Sequence, residues 1–263
     1  MSRKIIITSG KGGVGKTTVS ANLGGCLSNK GYRTVLIDAD IGLNNLDIAL
    51  GVENRVIYDV IDVIEGRCRV RQALIKVPEY ENLYVLPSSH GYKGGSITGQ
   101  NLKIITESLG ESFDFVIVDC PAGVELGFHR AVQCVKEGIV ITTPNITSVR
   151  DASKAISALA SYNINILGIV VNMCRGDLMA TGDMMNVDEI VNLLKTSPVG
   201  VIPDDYTIGL GQCAGNCAKE GEILTSFEIL ADNVIRGEKY VFDVEKKYRG
   251  LFGRLRRDIK SRV

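Results

Sequence analysis

The chain has 263 residues, of which 45% are hydrophobic and 23% are charged. This length and composition predict one large α/β domain with a well-buried core, and they exclude a disordered or fibrous chain. The longest apolar runs, in "KIIIT", "TVLID", "FVIVD" and "GIVIT", are too short to cross a bilayer, and no secretory leader precedes the first of them. We therefore expect a cytoplasmic protein.

The net charge is zero, but it is unevenly distributed. Residues 246–263 contain eight lysines and arginines and one aspartate, so this tail carries a charge of +7 and residues 1–245 carry −7. A basic tail on an acidic body predicts a polyanionic partner, either a nucleic acid or an anionic membrane.

Seven cysteines are scattered along the chain, an odd number that indicates free thiols in a reducing compartment. Cys213 and Cys217 are four residues apart, so in a helix they would lie on the same face. Only two histidines are present, and both are distant in sequence, so no four-ligand zinc pattern emerges.

Short β-branched runs alternate with longer segments that carry apolar residues at helical spacing. The predicted strands are Lys4–Thr8, Thr34–Asp38, Leu83–Leu86, Phe115–Asp119, Gly138–Thr142, Leu167–Asn172 and Gly200–Ile202. The predicted helices include Lys16–Asn29, Leu126–Val135, Val149–Ala160 and Val187–Leu194. This alternation predicts a doubly wound, mostly parallel sheet flanked by helices, with ligands at the carboxyl ends of its strands. The glycine-rich stretch at 88–100 is predicted to be a mobile surface loop.

The segment between the first strand and the first helix fits the phosphate-loop pattern G-x-x-x-x-G-K-[ST] over Gly10–Thr17. Its glycines permit positive φ, and their N–H groups together with the helix N-terminus form an anion cradle. We expect Lys16 to neutralise β- and γ-phosphate charge and the Thr17 hydroxyl to bind Mg²⁺.

Lys11 is a second lysine in this loop, and "KGGVGKT" resembles the deviant Walker A motif of the ParA/MinD superfamily of dimerising ATPases. The resemblance implies that Lys11 reaches across a subunit interface to phosphate on the partner's nucleotide, so that hydrolysis depends on dimerisation. It implies ATP and Mg²⁺ as ligands and an ATP-dependent homodimer. The nucleotide-binding residues in the loop are then Gly10, Lys11, Gly12, Gly13, Val14, Gly15, Lys16, Thr17 and Thr18.

Acidic residues follow two of the predicted strands, in "DADIGLNNLD" and "DCPAG". Asp119 is expected in the outer shell of Mg²⁺, and the resemblance makes its loop a γ-phosphate sensor. Asp40 lies in the segment where the family orients the attacking water, and Asp38 is expected to support Mg²⁺ through water. With Lys11 and Lys16, Asp40 and Asp119 form the predicted catalytic set. Strand-end aspartates also serve as helix caps and turn formers, which remains an alternative.

Two further segments resemble the family's base-binding elements. Asn172, at the end of "LGIVVN", matches the asparagine that reads the adenine edge, since an amide supplies both a donor and an acceptor. "VGVIPDD" resembles the following segment, which places Pro203 and Asp204 near the base.

The basic tail has an apolar stripe at helical spacing. A stripe of this kind with Lys and Arg on the other faces predicts an interfacial helix at residues 246–263, following an ATPase domain at residues 1–245. The predicted membrane-contacting residues are Tyr248, Leu251, Phe252, Leu255 and Ile259, with Arg254, Arg256 and Arg257. A helix docked on the acidic body and a nucleic-acid-binding tail are the alternatives.

The order of "TSGKGGVGKTT", "LIDADIGLNNLD", "NLYVLPSS", "DCPAGVE", "SVRDA", "GDMMNVDEI" and "VGVIPDD" resembles the septum-placing branch of the superfamily. This branch implies peripheral attachment to the inner face of the cell membrane, a MinC-like division inhibitor as a partner, and a MinE-like activator or another topological factor. Nucleic acid is not expected. A flagellar-number regulator and a DNA-partitioning ATPase of the same superfamily remain alternatives. An iron–sulfur protein of the nitrogenase type does not fit the contexts of Cys120 and Cys134. Segment 209–224 departs from the family pattern.

Overall fold

The structure is a computed structural model that describes residues 2–42, 45–89, 97–205 and 217–249. Within these ranges the strands are β1 (Arg3–Thr8), β2 (Thr34–Asp38), β3 (Ile75–Lys76), β4 (Leu83–Leu86), β5 (Phe115–Asp119), β6 (Glu137–Thr142), β7 (Asn165–Cys174) and β8 (Pro198–Pro203). They form one sheet in the order β3-β4-β2-β5-β1-β6-β7-β8. The pairings are parallel except for β3 with β4, which is antiparallel. The predicted fold class is confirmed.

Helices cover both faces of this sheet. They are α1 (Lys16–Asn29), α2 (Leu46–Ala49), α3 (Val60–Ile64), α4 (Val70–Ala73), α5 (Gly99–Gly110), α6 (Leu126–Ala131), α7 (Ile146–Ser161), α8 (Gly176–Met179), α9 (Val187–Leu194) and α10 (Gly221–Arg236). The described residues also form 3₁₀ turns at Glu53–Arg55, Val132–Cys134 and Lys246–Tyr248. The predicted helix at 126–135 is therefore an α-helix that tightens into a 3₁₀ turn.

The core has two halves because successive strand residues point to opposite faces of the sheet. In β1, Ile6 belongs to the half that contains α5, α7 and α9, whereas Ile5 and Ile7 belong to the half that contains α1 and α10. All three isoleucines are fully buried. This central strand therefore holds the start of the phosphate loop between two apolar layers.

The C-terminal segment contacts the body beyond the predicted boundary at residue 245. Tyr248 is only 6% exposed, and Lys247 forms an ion pair with Glu222 at the start of α10. Arg249 pairs with Asp243 at 3.1 Å. Lys247 and Tyr248 thus contact the body, and residues 250–263, which hold most of the predicted amphipathic helix, lie outside the described residues. Most of the predicted surface loop at 88–100, namely residues 90–96, also lies outside the described residues.

Candidate functional site

The loop between β1 and α1 forms an open cradle at the carboxyl edge of the sheet. Gly13 and Gly15 have φ angles of +76° and +87°, in the left-handed region that favours glycine. Gly15 is the N-cap of α1, and without a side chain it leaves the first-turn N–H groups facing the cleft. The Ser9 hydroxyl donates to the Lys11 carbonyl at 2.7 Å, which fixes the entry to the loop. Such an arrangement of N–H groups binds phosphate.

This cradle opens into a cleft of about 430 Å³. The cleft brings together six of the predicted loop residues with Asp40, which follows the end of β2. Its described lining is Gly12, Gly13, Gly15, Lys16, Thr17, Thr18, Asp40, Asn45, Ile48, Ala49 and Ala122. Asn45, Ile48, Ala49 and Ala122 were not predicted, because nothing in a single sequence distinguishes them from ordinary loop and helix residues.

Asp119 lies beneath the cradle and is 3% exposed. Its carboxylate accepts hydrogen bonds from the hydroxyls of Thr17 at 2.7 Å and Ser20 at 2.9 Å. Burial raises the pKa of Asp119 to about 6, and these two hydrogen bonds oppose the rise. Ser20 was missed by the sequence reasoning, although its position three residues after Thr17 places both hydroxyls on one face of α1.

Asp38 is the register neighbour of Asp119 on the adjacent strand. Its carboxylate is 1% exposed and accepts N–H groups from Asp40 at 2.9 Å and from Asn45 and Leu46 at 3.2 Å. Burial, and then the charge of Asp119, raise the pKa of Asp38 to about 7. Two buried carboxylates side by side disfavour ionisation of both, and a divalent cation would relieve this repulsion.

The donor set at this point therefore fits Mg²⁺, which prefers carboxylate and hydroxyl oxygens and retains several waters. Thr17 supplies a hydroxyl at the mouth of the cleft, with Asp119 directly behind it. Asp40 is half-buried at the cleft wall, where burial raises its pKa and the charge of Lys16 lowers it. These positions are compatible with the roles predicted for Thr17, Asp38, Asp40 and Asp119. Those roles remain predictions.

Lys11 lies close to the start of α7. The Gly10 backbone packs directly on the backbone of Asp151, since a Cβ at Gly10 would lie 2.0 Å from the Asp151 carbonyl oxygen. The pKa of Asp151 is lowered, chiefly by a 2.9 Å hydrogen bond from Lys154 and in smaller part by the charge of Lys11. The phosphate loop and α7 are therefore in direct contact.

The predicted base-binding residues occupy two places. Asn172, 5% exposed, donates through Nδ2 to the Val14 carbonyl of the phosphate loop at 2.9 Å. Pro203 and Asp204 instead line a second cavity of about 250 Å³, where the Asp204 N–H donates to the Cys174 carbonyl at 3.0 Å. Asn172 therefore supports the loop, a contact that the sequence did not predict, and its reading of adenine remains a prediction.

We expect Asn172→Ala to lower the free energy of unfolding by about 1–3 kcal/mol, because the buried Val14 carbonyl then loses its donor. Chemical denaturation measures the change. The matched control is Asn165→Ala, at the exposed start of the same strand, which should leave stability within about 0.5 kcal/mol. Equal stabilities of the two variants would contradict the supporting role of Asn172.

The structure describes one of the predicted membrane residues. Tyr248 packs into the body beside Gly176, where an added Cβ would lie 3.1 Å from the tyrosine ring. Tyr248 is 6% exposed, and its contact with a membrane remains a prediction. The other predicted membrane residues lie outside the described residues: Leu251, Phe252, Arg254, Leu255, Arg256, Arg257 and Ile259.

Over the four described ranges, no helix is both long and apolar enough to span a membrane. In the same ranges no three His, Cys, Asp or Glu side chains cluster as a metal site of their own. The six described cysteines are free thiols.

Comparison with known proteins identifies the group to which this site belongs. The ParA family model, described as the NUBPL iron-transfer P-loop NTPase, matches residues 1–195. The septum site-determining protein MinD of Bacillus subtilis is 47% identical over 207 residues, which cover 78% of this chain and 77% of that protein.

Two solved structures are similar over nearly their whole length. The MinC:MinD cell division protein complex of Aquifex aeolicus gives a TM-score of 0.84 at 35% identity, covering 91% of this chain and 97% of that chain. MinD of Pyrococcus horikoshii, solved with Mg-ADP, gives 0.81 at 30% identity, covering 90% and 97%. The deviant phosphate loop, the paired aspartates beneath it and these similarities agree, and the chain therefore belongs to the MinD family of septum site-determining P-loop ATPases.

Proposed function

We propose that this chain is an ATP-hydrolysing switch that dimerises with ATP, binds the membrane through its C-terminal segment and helps to place the division septum. The observation that carries the proposal is the loop itself: Lys11 and Lys16 flank a glycine cradle set directly above the buried Asp38 and Asp119. ATP and Mg²⁺ are its ligands.

Different residues of the cleft have different roles in phosphoryl transfer. The N–H groups of the glycine cradle and the Lys16 ammonium hold the phosphates, while Thr17 and, through water, Asp38 and Asp119 hold Mg²⁺. When bound, Mg²⁺ supplies positive charge that neutralises the phosphate oxygens. Asp40 lies at the wall of the same cleft and orients the attacking water. Lys11 of the opposite subunit supplies the last cation, so that hydrolysis requires the dimer.

Exposed apolar side chains around the cleft support dimerisation through this face. Ile48 lines the cleft and is 48% exposed, and Met173, 39% exposed, lies beside Gly15. Leu126 and Ile146, at the starts of α6 and α7, are 63% and 60% exposed. Large apolar residues gathered near one edge of a sheet indicate a surface that another protein covers. A second copy of this chain brings its own Lys11 to that edge.

The segment at 250–263 supports attachment to an anionic membrane. It has five lysines and arginines, one aspartate and the apolar residues Leu251, Phe252, Leu255 and Ile259 at helical spacing. Each basic residue near an anionic leaflet contributes about 1 kcal/mol before screening. Ordering the segment opposes much of this gain. One tail therefore binds weakly, and two tails in an ATP-bound dimer bind together through effective concentration.

The partners follow from the family. The Aquifex aeolicus relative was solved in a complex with MinC, which supports a division inhibitor of that kind as the partner that this chain recruits. An activator of the MinE kind, or another topological factor, then releases the chain by stimulating hydrolysis. The site of action is the inner face of the cell membrane.

Sedimentation with anionic vesicles tests the switch. The full chain should pellet with vesicles in ATP and remain in solution in ADP, whereas a truncation after Arg249 should remain in solution in both. The truncation is placed there because Lys247 and Tyr248 contact the body.

A substitution pair controls for loss of the tail. Phe252→Glu should abolish pelleting, and Ile57→Glu, at an apolar residue that is 82% exposed on the body, should not. Pelleting that is independent of nucleotide would show a constitutive anchor and refute the switch. Absence of pelleting in every state would refute membrane binding.

A further inference from the structure

A groove lies between the segment that carries α3 and α4 and the second half of α5. Its volume is about 560 Å³, within the range of roughly 300–1,000 Å³ that is usual for binding clefts. Val63 and Val70 line one side of it, and Ile104 and Ile105 line the other. We call this feature the α4–α5 groove.

The α4–α5 groove and the phosphate-loop cleft lie at opposite edges of the sheet. The cleft is at the carboxyl ends of the strands, whereas Arg71 in the groove donates to the Ser112 hydroxyl at 3.0 Å. Ser112 lies between the end of α5 at Gly110 and the start of β5 at Phe115, which is the amino edge. The described linings of the two sites have no residue in common. A ligand of the groove therefore leaves the nucleotide cleft accessible.

The apolar side chains of the groove are exposed to different degrees. Ile105 is 4% exposed and forms the floor, Val63 and Val70 are half-buried, and Ile104 is 57% exposed. Removing such apolar surface from water is favourable. The groove therefore fits a partner that inserts apolar side chains between the helices.

The groove also carries positive charge. Arg67 beside it is already paired, with Asp62 at 2.5 Å and with Glu65. Arg69 and Arg71, which line the groove, are exposed, and neither pairs with a carboxylate in the part of the chain that the structure describes. A single hydroxyl accepts from Arg71, so its other N–H groups are available to an anion.

Charge and shape together select the occupant. Because residues 1–245 carry −7 overall, two unpaired arginines beside an apolar recess form a local site for acidic groups. The chain's own segment at 250–263 is excluded, since its five lysines and arginines and one aspartate give a charge of +4. A bilayer is excluded because its flat surface cannot enter a recess between helices. An amphipathic helix fits, since it presents a row of apolar side chains with charged side chains beside them.

We propose that the α4–α5 groove binds an acidic amphipathic helix of a partner protein. The apolar side chains of that helix pack on Ile104 and Ile105, and its glutamates or aspartates pair with Arg69 and Arg71. Guanidinium groups hold carboxylates well because two parallel hydrogen bonds form. The helix binds whichever nucleotide the cleft holds, because the groove is at the other edge of the sheet. The chain thus has a contact surface for a partner besides the face proposed for dimerisation.

Selection from a phage-displayed peptide library tests the proposal. The peptides have leucine at helical spacing and random polar or charged residues elsewhere. The full chain is the bait, and a full-chain Arg69→Glu/Arg71→Glu variant removes peptides that bind the basic tail or another surface. We expect the recovered peptides to be rich in glutamate and aspartate. Failure to recover peptides that distinguish the two chains, or recovery of basic peptides, would overturn the proposal.

Affinity measurements with one recovered peptide then locate the contact. By fluorescence anisotropy, Arg69→Glu/Arg71→Glu and Ile104→Ser should each weaken binding about ten-fold or more. All three side chains are exposed, so these substitutions should leave the fold intact. Unchanged affinity in the Ile104→Ser variant would show that the apolar recess is not the binding site.

Matched controls make the same changes elsewhere on the surface. Leu193→Ser removes a leucine on α9 that is 55% exposed, which is close to the exposure of Ile104. Lys136→Glu/Lys195→Glu reverses two exposed charges that do not line the groove. Both controls should bind the peptide within about two-fold of the unmodified chain. Equal losses in the controls and the groove variants would refute a specific site.

Cys68 reports on the groove without a substitution, because it lines the groove and is half-buried. Alkylation by iodoacetamide is followed at alkaline pH, since burial and the nearby Asp62 raise the pKa of the Cys68 thiol. The bound peptide should slow alkylation of Cys68 about five-fold or more and leave the rate at Cys217, also half-buried, within about two-fold. An unchanged rate at Cys68 would contradict the proposal.

Two further measurements would assign the groove differently. The affinity for the peptide should agree within about two-fold in ATP and in ADP. Binding in ATP alone would place the peptide at the dimer face and overturn the proposal. Pelleting of the chain truncated after Arg249 with anionic vesicles, if lost in Arg69→Glu/Arg71→Glu, would make the groove a membrane contact and would also overturn it.

Discussion

A Lys11→Ala variant is expected to bind ATP normally and to hydrolyse it at least about 10³-fold more slowly than the unmodified chain in its activated dimer. A cation supplied by the opposite subunit stabilises charge that develops only in the transition state, and a cation of this kind contributes roughly 10³–10⁵ to the rate. Phosphate release under conditions of vesicle-stimulated turnover measures the loss, and equilibrium binding of a fluorescent ATP analogue measures the affinity.

Lys16→Ala is the informative comparison, because Lys16 lines the cleft of its own subunit. We expect this variant to lose affinity for ATP as well as hydrolysis, in contrast to Lys11→Ala. Lys30→Ala, at a lysine that pairs with Asp232 at 2.9 Å just beyond α1, should change neither quantity. Hydrolysis at the normal rate by Lys11→Ala would refute the role of Lys11 across the interface.

A Gly10→Ala variant is expected to lose about 3 kcal/mol of stability, or to fail to fold. The added Cβ would lie 2.0 Å from the Asp151 carbonyl oxygen and 2.1 Å from its carbonyl carbon. These are backbone atoms near the start of α7, so they cannot move aside as a flexible side chain does. Overpacking costs about 1–3 kcal/mol even where side chains can shift, and here the loop or the helix must shift. Chemical denaturation without nucleotide measures the change.

Two neighbouring glycines serve as controls for Gly10→Ala. At Gly12 the nearest atom to an added Cβ is 3.9 Å away and φ is not positive, so Gly12→Ala should keep its stability. Gly13 has open space but a φ of +76°, so Gly13→Ala should lose about 1–2 kcal/mol from backbone strain alone. A Gly10→Ala variant as stable as Gly12→Ala would show that the loop and α7 separate readily.

The order of the main elements could be predicted from sequence because apolar runs of three to six residues between helical segments leave few alternatives. The seven predicted strands and the doubly wound sheet are confirmed. The antiparallel strand β3 was missed, since two residues, Ile75 and Lys76, have no periodicity. α10 was not assigned, because its beginning at Gly221 lies in the segment that departs from the family pattern.

The site could be predicted where one local motif fixes the geometry, as in Gly10–Thr17. Contacts between residues that are far apart in the sequence could not be predicted. Asn172 supports Val14 across 158 residues, and the bond from Ser20 to Asp119 spans 99. Tyr248 continues the apolar stripe of the tail in sequence, yet it packs beside Gly176. An apolar stripe at helical spacing shows which residues are apolar. It does not show which surface covers them.

The position of β1 at the middle of the sheet has a consequence for biosynthesis. Arg3 pairs with Phe115 and Ile5 with Glu137, so β1 has no neighbouring strand until more than a hundred further residues have been made. At about 5–20 residues per second this interval is roughly 6–22 s. Throughout it, the run Ile5-Ile6-Ile7 lacks both of the strands that pair with it in the folded sheet. Nascent chains of this protein should therefore depend on chaperones, and slower translation should lower the yield of folded protein.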